Sequence, residues 1–433
     1  MPSIAFYTLG CKVNQCESDA MIGLFKNKGY ELVDFSDIAD IYVINTCTVT
    51  KGGARKSRQI IRRAIKRNPQ SIVVAVGCYP QVAVEEIKKI KGVDLILGTR
   101  DKNKIFELVE NMVEPCQSSP LVHVSDINKI NEYEEISPFI YNKRTRAFIK
   151  VQEGCNQYCS YCIIPYARGP IRSRKVEEVL YEAEKLSSKG FKEVVLTGIH
   201  LGAYGKGRYD ERIDDKEIDL LYLLQELTKL EKIKRIRLSS IEPTEISAGL
   251  IDMIKNNEKI CPHLHIPLQS GSKEILEKMN RPYTPEEFKA IVKNIREEVR
   301  DISITTDIMV GFPGETKEHF NETLTFVKEI GFSSIHVFKY SLHSGTVAST
   351  FPNQVPSKTK DKRSRILTDV AKKQECGFYE KYLGETLKVL VEQEYGKREN
   401  HVIGYTQNYI PVFFEGNIDL KGTIQNIKLM GIY

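Results

Sequence analysis

Glu153-Gly154-Cys155-Asn156-Gln157-Tyr158-Cys159-Ser160-Tyr161-Cys162 is the stretch on which this chain turns. It is a C-x3-C-x2-C run with an aromatic residue just before the last cysteine. Three thiolates on one short loop can hold three irons of a cubane 4Fe-4S cluster and leave the fourth iron without a protein ligand. An open iron can chelate a small molecule, so the spacing points to chemistry rather than electron storage. A structural zinc site and three unrelated thiols are the competing readings. Zinc takes four ligands in a closed site, usually as two separated pairs, and no partner Cys or His stands close by in the sequence.

The run follows a strand-like segment, residues 147–151, and a βα alternation continues from it. Candidate strands are 193–197, 235–239, 263–267, 303–309 and 335–338. Helical segments at 176–189, 220–230, 285–298 and 317–331 separate them. Six βα units make an open, partial TIM-type barrel, an α/β fold with functional residues at the C-terminal strand ends. The cysteine loop follows the first strand, where that rule places a site.

Upstream, short β-rich runs at 4–7, 41–44, 72–76 and 94–97 alternate with amphipathic stretches such as 18–28 and 84–91. This predicts a second parallel sheet covered by helices. Cys11, Cys47 and Cys78 each stand immediately after one of these strands. Loops at the carboxyl ends of parallel strands gather at one edge, so the three can converge on a second cluster; three buried free thiols are the plain alternative. Cys16 is a rival ligand, placed on the following helix. Cys116, Cys261 and Cys376 are isolated and read as ordinary thiols. Residues 115–138 are polar and read as a linker with one short strand at 121–124. Past a basic helix at 357–373, four strand-like runs at 386–391, 401–406, 409–415 and 423–429 predict a small OB-like β-barrel.

The net charge of +6 is unevenly spread. Lys51, Arg55, Lys56, Arg58, Arg62, Arg63, Lys66 and Arg67 lie together with no Asp or Glu among them. On a helix beginning near Ala54, Arg55, Arg58, Arg62 and Lys66 share one face, which suits an anionic partner such as nucleic acid. Ten cysteines in such a chain suggest metal rather than disulfides. No leader is evident and no apolar run spans a bilayer, so a cytoplasmic protein with no membrane partner is expected.

Thr8-Leu9-Gly10-Cys11-Lys12-Val13-Asn14-Gln15, Cys47, Cys78 and the triple-cysteine loop together resemble the methylthiotransferase family of radical S-adenosylmethionine (SAM) enzymes. The resemblance covers nearly the whole chain. It implies a methylthiotransferase domain over 1–115, a linker over 116–140, a radical SAM core over 141–371 and a TRAM RNA-binding domain over 372–433. The Leu-Gly-Cys-Lys-Val-Asn-Gln segment is most similar to the branch acting on N6-threonylcarbamoyladenosine beside the anticodon of tRNA. The isopentenyladenosine branch and the branch acting on a ribosomal protein are the alternatives. His343 departs from the family pattern, where Arg is expected.

The resemblance implies two 4Fe-4S clusters and SAM, a radical route to sulfur insertion at adenine C2, and a second SAM as methyl donor. It also implies partners: the tRNA anticodon stem-loop, an electron donor of flavodoxin or ferredoxin type, and a sulfur source. Tyr161, Gly198, Gln269, Ser270 and Gly311 are the SAM-contact candidates, and core packing or turns are their plain alternative. Arg168 and Arg172, with Arg174 and Lys175, are candidates for RNA phosphate or the substrate carboxylate, and Lys12 offers a further cation. Tyr405, Tyr409 and Phe413 offer stacking surfaces for bases, although alternating aromatics in a β-barrel more often form its core. The C-terminal region, with Asp and Glu slightly outnumbering Lys and Arg, cannot hold RNA by charge alone.

Overall fold

Along residues 41–46 every side chain is buried, because the strand is covered on both faces. Ile41 and Val43 join one apolar layer, Tyr42 and Ile44 the other, the period-2 alternation of a pleated strand. The computed structural model describes residues 1–112, 119–136, 144–207, 218–396 and 398–432, and the backbone alone of 212–213 and 216–217. Cys116 and the expected boundary at 115 lie outside the described residues.

The N-terminal unit has strands β1 (Ser3–Thr8), β2 (Glu31–Val33), β3 (Ile41–Thr46), β4 (Ile72–Gly77), β5 (Leu95–Leu97) and β6 (Leu121–His123). They form one parallel sheet in the order β2-β1-β3-β4-β5-β6. Helices α1 (Lys12–Lys26) and α5 (Ile105–Glu110) cover one face; α2 (Lys51–Arg67), α3 (Cys78–Val82) and α4 (Val84–Lys88) cover the other. The order reverses between β1 and β3, the crevice where open parallel sheets hold ligands. α1 begins six residues before the amphipathic stretch predicted at 18–28. Asn14, Glu17 and Ser18, polar in sequence, are buried there.

The barrel strands are β7 (Arg146–Lys150), β10 (Glu193–Thr197), β13 (Arg235–Leu238), β14 (His263–His265), β15 (Ser303–Val310) and β16 (Ser334–Lys339). β7, β10 and β13 pair in parallel, as do β14, β15 and β16. Parallel bridges from Ile236 to Ile260 and from Ser240 to His265 join the two halves into one open barrel. Helices α7 (Val176–Ser188), α8 (Leu220–Thr228), α9 (Ala248–Asn256), α11 (Pro285–Glu298) and α12 (Lys317–Ile330) close an apolar layer around it. Short α6 (Ile164–Arg168) and α10 (Lys273–Lys278) lie at its mouth. Two small antiparallel pairs, β8 (Gln152–Glu153) with β9 (Arg172–Ser173) and β11 (Arg212–Ile213) with β12 (Lys216–Glu217), complete it.

Helix α13 (Ser357–Glu380) runs unbroken through the boundary expected at 371. It leads to β17 (Thr386–Glu394), β18 (His401–Thr406), β19 (Pro411–Glu415) and β20 (Ile424–Lys428). These form a curled antiparallel sheet, order β19-β18-β17-β20, a half-barrel. This sheet docks on the strand starts of the barrel. Arg235 donates to the Tyr405 and Lys388 carbonyls at 3.0 and 2.7 Å, and Arg237 to the Gln407 carbonyl at 2.9 Å. Tyr409 accepts from Arg146 at 3.0 Å and its ring lies under Arg237. Tyr405 and Tyr409 are therefore spent on the contact between units, the packing alternative to base stacking; Phe413 stacks on Tyr395.

Candidate active site at two cysteine triads

The loop after β7 is shaped by Gly154. Its φ is +78°, and an added Cβ would lie 1.8 Å from the Pro170 carbonyl oxygen. The three thiols on this loop each meet hydrogen-bond donors. Gln157 N–H points at Cys155 Sγ at 3.5 Å, Ile164 N–H at Cys162 Sγ at 3.4 Å, and Arg281 Nη1 at Cys159 Sγ at 3.3 Å. Arg281 is held by Glu242 and lies 4.9 Å over the Tyr283 ring. His200 approaches Cys155 Sγ at 3.6 Å through Nδ1 and Glu245 at 2.9 Å through Nε2. Burial pushes the Cys162 thiol up to about 12, so it would stay protonated without a metal to hold its thiolate. Donors and a guanidinium aimed at sulfur suit thiolate ligands, and the triad fits the cluster that its spacing implies.

Cys11 caps α1, Cys47 follows β3 and Cys78 opens α3. The loops touch: a Cβ on Gly10, whose φ is +99°, would lie 3.0 Å from Cys47 Cβ and 3.2 Å from its Sγ. Burial lifts the Cys78 thiol to about 11, and Arg168 opposes that rise. Arg168 Nε lies 3.3 Å from Cys78 Sγ. This triad too fits thiolate ligation. Cys16 sits on α1 among Asp19, Arg144, Lys150 and Glu182.

Two of the cations expected at RNA need correcting. Arg168 is 0% exposed. It pairs with Glu17 and Glu153 and donates to Asn14 Oδ1 at 2.6 Å. Arg172 is buried, donating to the Arg168 carbonyl at 2.8 Å. Lys102 and Lys150 complete the cluster at 3.2 and 3.0 Å from Glu17. A guanidinium so enclosed cannot reach a phosphate; it ties the N-terminal unit to the barrel and touches Cys78 of the first triad. Arg174 is likewise held by Glu135 and Glu182.

The SAM-contact candidates line the barrel mouth with different freedom. Gln269 has φ +67°, rare for a side-chain-bearing residue, and its backbone bonds Asp307 and Met309; strain of this kind clusters at functional sites. Tyr161 packs with Met279, Phe312 and Tyr340. A Cβ on Gly198 would meet Gln152 Oε1 at 2.9 Å, so the missing side chain makes room for Gln152. Ser270 is turned into the protein, 3.3 Å from the Thr323 hydroxyl. Over Gly311 lies the Lys360 stem, 2.3 Å from where a Cβ would stand. In this structure Ser270 and Gly311 therefore face protein atoms rather than an open SAM pocket.

Inside the barrel, His263 and His265 share the Thr305 hydroxyl at 3.4 and 2.9 Å, and His265 Nε2 lies 3.2 Å from Asp307. His336 joins His265 and Asp307 in one tight group. His343 Nε2 meets Thr48 Oγ1 at 3.0 Å, beside Cys47. The residue that departs from the family pattern thus ties the last barrel loop to the first triad. Arg281, Glu242, Glu17, Glu153 and His200 were missed as participants. Each lies far in sequence from the thiol it serves or reads as an ordinary helix charge.

On α2, Ile60, Ile61 and Ala64 face the sheet, while Arg55, Arg62 and Lys66 are exposed. Arg58 instead turns back to Glu86 at 2.9 Å and over the Tyr79 ring. The stripe of four is a stripe of three, with Lys56 and Arg63 exposed beside it.

Barrel and cysteine loop together define a radical SAM enzyme, a class built around an iron–sulfur cluster and SAM. The Radical SAM superfamily matches residues 149–327, the Uncharacterized protein family UPF0004 residues 3–98, and the TRAM domain residues 380–429. The chain is 44% identical to the threonylcarbamoyladenosine tRNA methylthiotransferase MtaB of Bacillus subtilis (strain 168), over 99% of this chain and 94% of that protein. It is 45% identical to the protein of that name in Aquifex aeolicus (strain VF5), over 95% and 97%. Identity to the tRNA-2-methylthio-N(6)-dimethylallyladenosine synthase of Clostridium perfringens (strain SM101 / Type A) is 34%, over 98% and 94%. The chain belongs to the tRNA methylthiotransferase family. The radical SAM methyltransferase TsrM of Kitasatospora setae, solved with cobalamin and a [4Fe-4S] cluster, shares the fold: TM-score 0.56, 15% identity, 81% of this chain and 77% of that one. No helix among the described residues is long and apolar enough to cross a membrane.

Proposed function

We propose that this enzyme converts N6-threonylcarbamoyladenosine beside the tRNA anticodon to its 2-methylthio derivative, using a 4Fe-4S cluster on each cysteine triad. The observation that carries the reading is Arg168. It leaves the loop of the second triad and ends on Cys78 of the first, which supports two cluster sites sharing one compartment. Greater identity to the threonylcarbamoyladenosine enzymes than to the dimethylallyladenosine synthase supports the branch.

Clusters and SAM, when bound, supply the radical, sulfur and methyl chemistry. The chain's own residues do the rest. Arg281 and Arg168 place positive charge and N–H groups on ligand sulfurs, and Glu242, Glu17 and Glu153 hold those guanidinium groups in place. Gln269, with Tyr161 packed nearby, is the best-placed SAM contact. The docked C-terminal sheet closes the barrel base against water. Arg55, Arg62 and Lys66 follow phosphates, which positions the RNA without reading its sequence. An electron donor of flavodoxin or ferredoxin type and a sulfur source act with the enzyme, in the cytoplasm. Mass spectrometry of tRNA nucleosides from a deletion strain tests this. The 2-methylthio form of threonylcarbamoyladenosine should vanish and its precursor accumulate; loss of 2-methylthio-isopentenyladenosine instead would move the enzyme to the other branch.

A further inference from the structure

Lys12 follows the ligand Cys11 and is the first residue of α1. Its ammonium acts electrostatically on Tyr409, Arg146 and Arg237 and on the imidazoles of His263 and His336. Those groups come from the barrel strands and the docked sheet, so the side chain enters the barrel interior. Every other cation there has a carboxylate. Arg146 pairs with Glu392, Arg235 and Arg237 with Glu193, and Lys150 with Glu17 and Glu153. Asp307 is taken up by His265. Lys12 makes no hydrogen bond or ion pair among the described residues, whereas the cations around it each reach a carboxylate. A second group nearby is also unsatisfied. His263 is 6% exposed, with Nε2 toward Thr305, and its Nδ1 is buried without a partner.

Buried polar groups left unpaired are costly, and charged ones more so. A ligand that supplies an anion beside a hydrogen-bonding group removes both deficits. We propose that Lys12 receives the carboxylate of the threonylcarbamoyl group, with His263 bonding a polar atom of the same substituent. This rests on the substrate reading above and deepens it. Of the cations that were candidates for that carboxylate, Arg168, Arg172 and Arg174 are enclosed by protein partners and Lys175 faces solvent at the start of α7, whereas Lys12 directly follows a triad cysteine. An adenine presented between the triads would carry its N6 substituent into the barrel interior, where an apolar isopentenyl group would leave the ammonium unpaired. That is the kind of site that rejects an analogue lacking the bonded group.

The test compares two anticodon stem-loop RNAs with reconstituted holoenzyme. One carries threonylcarbamoyladenosine, the other the same group with its carboxylate converted to the neutral amide. Wild-type enzyme should prefer the acid by roughly 10- to 100-fold in kcat/KM, the scale of a charge-assisted bond. Lys12→Met should bring that preference close to unity, and Lys12→Arg should keep part of it. Iron content and RNA-independent SAM cleavage, measured on each variant, report cluster assembly separately. Equal use of acid and amide by the wild type overturns the proposal without any variant. So does a Lys12→Met enzyme that keeps the acid preference, or one whose defect lies in RNA-independent SAM cleavage, which would assign the ammonium to SAM's own carboxylate. Wild-type enzyme inert toward both RNAs but active on isopentenyladenosine RNA overturns the substrate reading itself, and is told apart by that activity.

Discussion

Arg168 stands six residues beyond Cys162 and shortly before Arg172 and Arg174, which in sequence looks like a run of phosphate contacts. In the fold its guanidinium is fully enclosed by Glu17, Glu153, Asn14 and Cys78 Sγ. Nothing local marks it, because its partners come from α1 and from the strand end before it. Removing one member of a buried ion cluster strands the others, at a cost of about 3–5 kcal/mol. Arg168→Met should therefore lower resistance to urea and move the reduction potential of the first cluster to more negative values, because a cation and an N–H donor leave its ligand. An unchanged potential in redox-poised electron paramagnetic resonance would remove Arg168 from that role. Spacing singles out the second triad in the sequence and strand-end placement the first, and the iron content tests all six as ligands. Anaerobically reconstituted enzyme should hold close to eight irons, the content of two cubanes. Changing Cys11, Cys47 and Cys78 to Ala should halve the iron yet leave SAM cleavage; changing Cys155, Cys159 and Cys162 should halve it and abolish cleavage. Iron content indifferent to the first triad would sink the two-cluster account.

Helix α2 shows how far a pattern of charges can be trusted. Spacing places Arg55, Arg58, Arg62 and Lys66 on one face, but spacing says nothing of the neighbouring helix that brings Glu86 to Arg58. Changing Arg55, Arg62 and Lys66 to Glu should weaken tRNA binding across sequences. It should also lower the log–log salt slope by roughly 0.7–0.9 for each lost phosphate contact. Arg58→Glu should cost less, because Arg58 is already paired. A slope that the triple change leaves intact, measured by filter binding across salt concentrations, would take α2 out of the interface. The barrel strands were legible as short runs rich in β-branched and apolar residues, such as Val194, Val195 and Leu196 in β10. β2, three half-exposed residues at a sheet edge, carried too little pattern to find. The first turns of α1 were missed for the opposite reason. Asn14 and Glu17 look solvent-facing, yet face Arg168 and the triads.

Across the whole molecule, three units are joined by charge rather than by apolar surface alone. Burial would raise the Glu17 carboxyl, but Arg168, Lys102 and Lys150 outweigh it and hold it down to about 2. Its folded value lies below the unfolded one near 4.5. The unfolded chain therefore binds more protons as the pH falls. Stability from this group is complete above about pH 4.5 and drains away toward pH 2. Glu17→Gln should be less stable than wild type at neutral pH and lose less on acidification; parallel urea curves for the two proteins from pH 3 to 7 would contradict that. The order of the three units could be read from the chain, whereas the docking could not, since it depends on charges far apart in sequence such as Arg146 and Glu392. The central claim is that this architecture methylthiolates threonylcarbamoyladenosine at C2. The most direct measurement incubates reconstituted enzyme with SAM, sulfide and reductant on two tRNAs, one bearing threonylcarbamoyladenosine and one isopentenyladenosine, followed by mass spectrometry of the nucleosides. The account predicts the 2-methylthio product on the first tRNA and little or none on the second; product on the second alone would contradict it.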